Sequence, residues 1–257
     1  MTDTVKPGLT KVPEIVLGFW IIKILATTLG ETGGDAVTMS MHLGYAVGTL
    51  IFMAIFSVAV IAQIRATRFN PYLYWLTIVA TTTVGTTMAD FTDRSLGIGY
   101  AGGASILILL LGASLACWRW VEGSVSVNTV ATPRTEAFYW VTILFSQTLG
   151  TALGDWMADT NGLGFGGGAL VFSAAIALTA GAYYVPRLSH VALFWAAFIL
   201  TRPLGATVGD LLDKPLALGG MDLSRAGAST ILTASILLLI IVLPQRPGLH
   251  PAAQPMR

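Results

Sequence analysis

Four copies of one short pattern constrain this chain more than any other feature. Trp20, Trp75, Trp140 and Trp195 each follow an aromatic residue: Phe19, Tyr74, Tyr139 and Phe194. Ten residues after each tryptophan stands a glycine (Gly30, Gly85, Gly150, Gly205), and five later an aspartate (Asp35, Asp90, Asp155, Asp210). Nine beyond that comes a second glycine: Gly44, Gly99, Gly164 and Gly219. The pattern W-x9-G-x4-D-x8-G therefore runs four times without a gap. Repetition of this kind means that each copy is one supersecondary unit which buries its apolar surface against its neighbours. Copies one and three lie 120 residues apart, as do copies two and four, so one unit has been doubled and then doubled again.

The composition says what the unit is. Only 11% of the 257 residues are charged and 54% are hydrophobic, against roughly 25% charged in an ordinary soluble domain. The mean hydropathy is +0.75. This chain has too little charge to cover a soluble globule, and it is too apolar for disorder. One cysteine, Cys117, excludes a disulfide scaffold, and a net charge of +1 gives no footing for nucleic acid. A membrane-spanning helix needs about 20 largely apolar residues. Eight such stretches are present, at roughly 14–34, 43–64, 71–90, 98–118, 137–156, 164–185, 190–210 and 226–244. The expected fold is an all-α polytopic membrane protein, with eight transmembrane helices arranged as four like-oriented two-helix repeats in a pseudo-symmetric bundle. Its first half covers 1–120, with repeats at about 13–66 and 69–120. A polar connection at 121–136 follows. The second half covers 137–257, with repeats at about 137–187 and 190–245 and a polar tail. The first apolar stretch lacks the pattern of a cleaved signal and is expected to stay as a span.

Basic residues set the expected orientation. Lys6, Lys11, Arg65, Arg68, Arg119, Arg134, Arg187, Arg246 and Arg257 fall on the side that holds both termini; only Arg94, Lys214 and Arg225 fall on the other. Both termini are thus expected in the cytoplasm, with the repeat aspartates towards the outer side. Units of two spans all enter the membrane the same way, unlike the inverted repeats of many transporters. Closure of four hairpins around an axis and pairing of copies into two half-sites both fit this arrangement.

The segments Leu29-Gly30-Glu31-Thr32-Gly33-Gly34-Asp35, Val84-Gly85-Thr86-Thr87-Met88-Ala89-Asp90, Leu149-Gly150-Thr151-Ala152-Leu153-Gly154-Asp155 and Leu204-Gly205-Ala206-Thr207-Val208-Gly209-Asp210 resemble those of a family of uncharacterised bacterial inner-membrane proteins. That family is built of four tandem two-span repeats, each with a tryptophan, a repeat of unknown function. The resemblance covers nearly the whole chain. It implies a bacterial inner-membrane location and eight spans, and it transfers no activity.

At 100° per residue, positions about 7, 11, 15 and 18 after each tryptophan return to the tryptophan's face. That face carries Thr27, Thr82, Gln147 or Arg202, then Glu31, Thr86, Thr151 or Ala206, and then the four aspartates. If the helix persists, Thr38, Asp93, Ala158 and Asp213 follow. A polar stripe of this kind must face the bundle interior or water. The pairs Gly30/Gly34, Gly85/Ala89, Gly150/Gly154 and Gly205/Gly209 are small-xxx-small pairs that bring helices close, and Pro203 adds a distortion in copy four. The tryptophans fit either an interfacial belt or a ring closing one end of a cavity. The aspartates fit either solvated helix ends or a shared site. Lys23, Glu31, Gln147 and Arg202 lie deeper, where a charge needs a partner. Glu31 and Arg202 sit one turn apart on equivalent faces and are expected to pair.

Carboxylate and hydroxyl oxygens suit hard cations such as Mg²⁺, Ca²⁺ or Mn²⁺. Met39, Met41, Met88, Met157 and Met221 near the outer ends, with His42 among them, would suit a softer ion or serve only as apolar filling. Cys117 is expected to be a small buried apolar residue, and His42, His190 and His250 are scattered. Thr82-Thr83-Val84-Gly85 matches the start of a potassium-channel filter, but the other copies do not keep it. Gly97-Ile98-Gly99-Tyr100-Ala101-Gly102 fits a dinucleotide glycine pattern by letter only, since it opens a span and follows no strand. No enzyme signature is present, so no catalytic residue is expected. The expected function is ion-coupled transport of a metal or other inorganic cation, with efflux or resistance as one use. The partners would be the lipid bilayer and a small inorganic ion, with room for a homo-oligomer; a divalent metal would be substrate. Asp35, Asp90, Asp155 and Asp210 form the expected ion or metal site, with Glu31, Gln147 and Arg202 setting its asymmetry. A passive cation channel and a non-transporting structural or partner-binding membrane protein are the alternatives.

Overall fold

The computed structural model describes residues 9–160 and 162–249; Lys6, His250 and Arg257 lie outside the described residues. Among the described residues, eight α-helices follow one another: α1 (Leu17–Asp35), α2 (Gly44–Arg65), α3 (Pro71–Asp90), α4 (Gly99–Glu122), α5 (Pro133–Asp155), α6 (Gly164–Ala182), α7 (His190–Asp213) and α8 (Arg225–Val242). Their starts are written locally. The Asn70 side chain caps α3 ahead of Pro71. Thr132 and Thr135 form a capping box before α5 with Pro133 in the first turn, and Ser189 and Ser224 cap α7 and α8. These side chains satisfy amides that the first helical turn leaves without partners. The second glycine of the repeat has its reason in the backbone. Gly44, Gly99, Gly164 and Gly219 all have positive φ, between 64° and 83°, where a side chain would be strained. Each marks the reversal between the two helices of a unit.

The bundle closes on itself. The first helix of each unit packs against the first helix of the next, in the order α1, α3, α5, α7 and back to α1. The second helix of each unit packs on the following unit: α2 on α3, α4 on α5, α6 on α7, and α8 on α1. Four odd-numbered helices therefore form an inner ring, and the even-numbered helices pack around it. The even helices turn Leu50, Val58, Leu109, Leu170, Leu178 and Ile241 outwards, as lipid-facing surfaces require. Five helices, α2, α4, α6, α7 and α8, are by themselves long and apolar enough to cross a membrane. The threonine-rich α1, α3 and α5 are less apolar because the protein, rather than lipid, surrounds them: Thr27, Thr77, Thr81, Thr82, Thr86 and Thr151 are all fully buried. The molecule is a multi-pass helical membrane protein.

Small residues allow this ring to be tight. A Cβ at Gly30 would collide with Thr82, at Gly85 it would press on Gln147, at Gly150 it would strike Arg202, and at Gly205 it would strike Thr27. Each repeat glycine thus accepts the residue seven positions after the next unit's tryptophan, and the relation closes from copy four to copy one. Thr82 Oγ1 donates to Ala26 O at 3.1 Å, and Thr27 Oγ1 donates to Thr201 O at 3.0 Å, a bond at the equivalent place in the ring.

Two short strands absent from the sequence reading, β1 (Leu9–Pro13) and β2 (Pro247–Leu249), pair antiparallel ahead of α1 and after α8. Lys11 anchors β1 through Glu136 at 2.6 Å and the carbonyls of Gln63 and Ile64. Cys117 is exposed on α4, a correction to its expected burial. At this position α4 faces outwards, where a small apolar residue is compatible with lipid.

Candidate ion-binding site at the aspartate end

The structure stacks the inward faces of α1, α3, α5 and α7 in layers. The tryptophan layer lies nearest the β1–β2 end, where Trp75 Nε1 donates to Gln245. Trp75 packs on Phe19 (5.4 Å between ring centres), Trp140 on Tyr74 (5.7 Å), Trp195 on Tyr139 (6.4 Å) and Trp20 on Phe194 (5.8 Å). Each aromatic residue that precedes a tryptophan therefore meets the tryptophan of the following copy, and eight rings form a closed floor. Trp75, Trp140 and Trp195 are buried, so of the two readings of the tryptophans the closing ring is the one adopted. Tyr74 and Tyr139 share a 2.6 Å hydroxyl–hydroxyl bond within it.

Two layers above, Arg202 crosses the middle of the bundle. Its Nη2 donates to Glu31 Oε2 at 2.9 Å and also reaches Thr86 Oγ1 and Thr151 Oγ1. These three acceptors are the residues eleven positions after the tryptophans of copies one, two and three. The corresponding residue of copy four is Ala206, on the same helix as Arg202. The expected Glu31–Arg202 pair is present, with both side chains buried. Gln147 occupies Arg202's position in copy three and is also buried.

All four repeat aspartates are buried, with relative exposures of 1–4%; they are not solvated helix ends. Two cations bridge them in pairs. Lys214 Nζ contacts Asp210 at 2.9 Å and also Asp35, while Arg94 contacts Asp90 at 2.9 Å and Asp155 at 3.0 Å. Lys214 and Arg94 each lie four residues after their own aspartate and reach the aspartate of the next copy. Sequence reasoning placed both on the outer side without pairing them, although an aspartate followed four residues later by a cation on a helix is a readable signal. Burial alone would lower the Lys214 ammonium, but Asp210, Asp35 and Asp213 overcome it and hold it well above the ordinary lysine value. Arg94 behaves likewise, with Asp90 and Asp155 opposing the effect of burial.

Past the aspartates the helices of the first three copies loosen into single π-turns, Ala36–Ser40, Phe91–Ser95 and Trp156–Thr160, whereas α7 continues regularly to Asp213. A π-turn is a common device at functional sites. The stripe persists through it: Thr38, Asp93, Ala158 and Asp213 are all buried. Arg225 lies 3.3 Å from Asp213 and 3.8 Å from Asp35. It also lines, with Asp213, Asp222, Ser40 and Met41, a cavity of about 500 Å³ that opens at this end. Among the described residues, Glu31, Asp35 and Asp210 bring carboxylate oxygens within 4.8 Å of one another. The acidic stripes of the four copies thus fall into two bridged groups. Asp35 and Asp210 lie beside Glu31, and Asp90 and Asp155 are joined to each other through Arg94.

The model of a repeat of unknown function, DUF347, matches residues 18–69, 73–124, 138–189 and 193–245. The chain belongs to this family. No curated protein and no solved structure matches it. The matched segments coincide with the four two-helix units. The DUF347 repeat is therefore, in this chain, one inner and one outer helix, with the tryptophan at the floor and the aspartate at the opposite end.

Proposed function

We propose that the protein is an ion-coupled transporter of a metal or other inorganic cation in the bacterial cytoplasmic membrane, with both termini cytoplasmic and the aspartate end facing outwards. One observation carries the reading. Among the described residues, seven buried carboxylates (Glu31, Asp35, Asp90, Asp93, Asp155, Asp210 and Asp213) face four cations (Arg94, Arg202, Lys214 and Arg225) at that end. Buried charge is tolerated only when paired, so this excess draws in protons or a cation. The oxygens of Glu31, Asp35 and Asp210 supply the hard donor set that a divalent ion takes. Lys214 is then a tethered competitor for the same carboxylates, and its exchange with the substrate would couple binding to movement. Arg202 lying across the interior favours a gated transporter over a passive channel. No catalytic role is assigned. Efflux of a toxic metal is a use consistent with this reading.

A second reading has one observation in its favour: every repeat aspartate already contacts a cation of the chain itself, as a purely structural lock would require. Growth of cells with and without the protein across a panel of metal salts tests the two. Purified protein in liposomes provides the matching flux assay. A change in tolerance and flux for one ion, lost in a folded Asp210→Asn variant, supports transport. Unchanged tolerance and flux for every ion, with Asp210→Asn failing to accumulate in folded form, refutes it in favour of the lock.

A further inference from the structure

The carboxylate-rich end has a counterpart deeper in the bundle, where the imbalance is reversed. Lys23 on α1 is completely buried, and its Nζ has no hydrogen-bond partner among the described residues; it lies 4.3 Å from the ring centre of Phe198 on α7. Arg202, one turn further along α7, is equally buried. Its Nη2 is engaged with Glu31, but its Nε–H has no partner among the described residues. The stem of Arg202 lies against Gly150 of α5. One turn before Gly150 on that helix, Gln147 is fully buried with neither end of its amide satisfied among the described residues, and the neighbouring Ser146 hydroxyl is likewise without a partner among them. A buried amine, a guanidinium N–H, an amide NH₂ and a hydroxyl thus stand unsatisfied between the aromatic floor and the Glu31–Arg202 pair. Each such group costs free energy unless something accepts from it.

From this set we infer a binding site for a small monovalent inorganic anion, of the size of chloride or bromide, held by Lys23, Gln147 and Arg202 Nε. The charge arithmetic selects the valence: Glu31 already neutralises Arg202, so the only further positive charge available to balance an anion is the one Lys23 takes up with a proton when the anion binds. The donor chemistry selects an anion over a cation, since only the Gln147 carbonyl in this set is an acceptor alone. Helices α1 and α5 face each other across the ring, with α7 between them. An anion here therefore ties three of the four inner helices together, and the site meets the aspartates of the other end only through the Glu31–Arg202 pair.

The probe is bromide. The whole protein, purified in detergent, is melted in sodium bromide against sodium gluconate at constant ionic strength. Gluconate is too large for a fully enclosed site. A ligand that binds only the folded state stabilises it by mass action, so a saturable rise of about 5 °C is expected at high bromide, given roughly 2–4 °C per kcal/mol for a chain of this size. Lys23→Met should abolish the rise and melt no lower than the parent in gluconate, because an unpartnered buried amine is gone. Should Lys23→Met fail to fold, Gln147→Met decides, with a loss of at least tenfold in apparent bromide affinity. An anomalous bromide peak between α1, α5 and α7 would support the site directly. Melting that is indifferent to bromide, or a rise retained in the variants, would overturn it and leave the donors to water alone.

Discussion

Arg202 is the residue on which the inner ring converges, and its removal yields the sharpest test of how that ring is held. Its side chain contacts Glu31, Thr86, Thr151 and the carbonyl of Thr27, drawn from all three other copies. Arg202→Met keeps the stem that packs against Gly150 but leaves the Glu31 carboxylate, among the described residues, with the Thr86 hydroxyl at 3.3 Å. Removing one partner of a buried pair costs about 3–5 kcal/mol, because the other charge is stranded. Glu31→Gln retains an acceptor for Nη2, and the guanidinium keeps its threonine partners, so its cost sits nearer about 3 kcal/mol. The double variant has no stranded charge and should lie within about 1–2 kcal/mol of the parent, since apolar replacement of a buried pair is often close to neutral. The cycle therefore predicts a coupling of at least about 4 kcal/mol, well above the additivity expected of distant sites. Unfolding by SDS titration in mixed micelles, followed by tryptophan fluorescence from the aromatic floor, measures all four proteins. A loss below about 1 kcal/mol for Arg202→Met, with coupling under about 0.5 kcal/mol, would show that the pair does not hold the ring and that the reasoning from burial fails.

Further expectations come from the same structure. Gly30→Ala must push on the side chain and backbone of Thr82, and should destabilise by about 1–3 kcal/mol as overpacking does. Gly33→Ala meets nothing within 4 Å and should be neutral or gain up to about 1 kcal/mol from helix propensity; the same SDS titration compares them. Asp93, on the π-turn beyond α3, is pushed up from 3.8 to about 6 by burial, with Arg94 opposing. Between these values the folded protein holds a proton that the unfolded chain has released, so this residue makes stability fall as pH rises from about 4 to 6. In Asp93→Asn the fall across that window should flatten, and an unchanged slope in melting curves would contradict the assignment. Lys11→Met leaves Glu136 buried without its 2.6 Å partner and should cost about 3 kcal/mol, read as a drop in melting temperature that Glu136→Gln partly restores in the double variant.

Much of this architecture was legible in the chain, for reasons that particular residues make plain. The expected span 71–90 is α3 to the residue, because Asn70-Pro71 is a helix start and the repeat aspartate sits where the helix changes character. The Glu31–Arg202 pair followed from rotation per residue alone. What a helical period cannot carry is which neighbour receives a residue. That Gly30 accepts Thr82 of the following copy, and that α8 returns to α1, depends on ring closure, a property of the assembled helices. The partners of the aspartates were missed for a related reason. Lys214 and Arg94 each bridge two copies, and the second member of each bridge lies 179 or 61 residues away. The β1–β2 latch joins the two ends of the chain with strands of five and three residues, too short for alternation to register. Cys117 was misplaced because an apolar stretch in a membrane protein does not say which side faces lipid.

The departures from symmetry follow the history of the repeat. The position four residues after the aspartate is Met39 in copy one, Arg94 in copy two, Asp159 in copy three and Lys214 in copy four. Cations at copies two and four alone are what a duplicated two-unit segment would leave behind. They clamp copy two to copy three and copy four to copy one through carboxylates, while the other two seams of the ring carry no such clamp at this depth among the described residues. Deeper in, the symmetry falls further: only copy four supplies an arginine, only copy one a glutamate and a lysine, and only copy three a glutamine. A ring of four equal units would place like charges at one depth, where they repel. By distributing Lys23, Glu31, Gln147 and Arg202 over three copies, the chain replaces that repulsion with one buried pair, and it converts a symmetric scaffold into an interior where each helix makes different contacts.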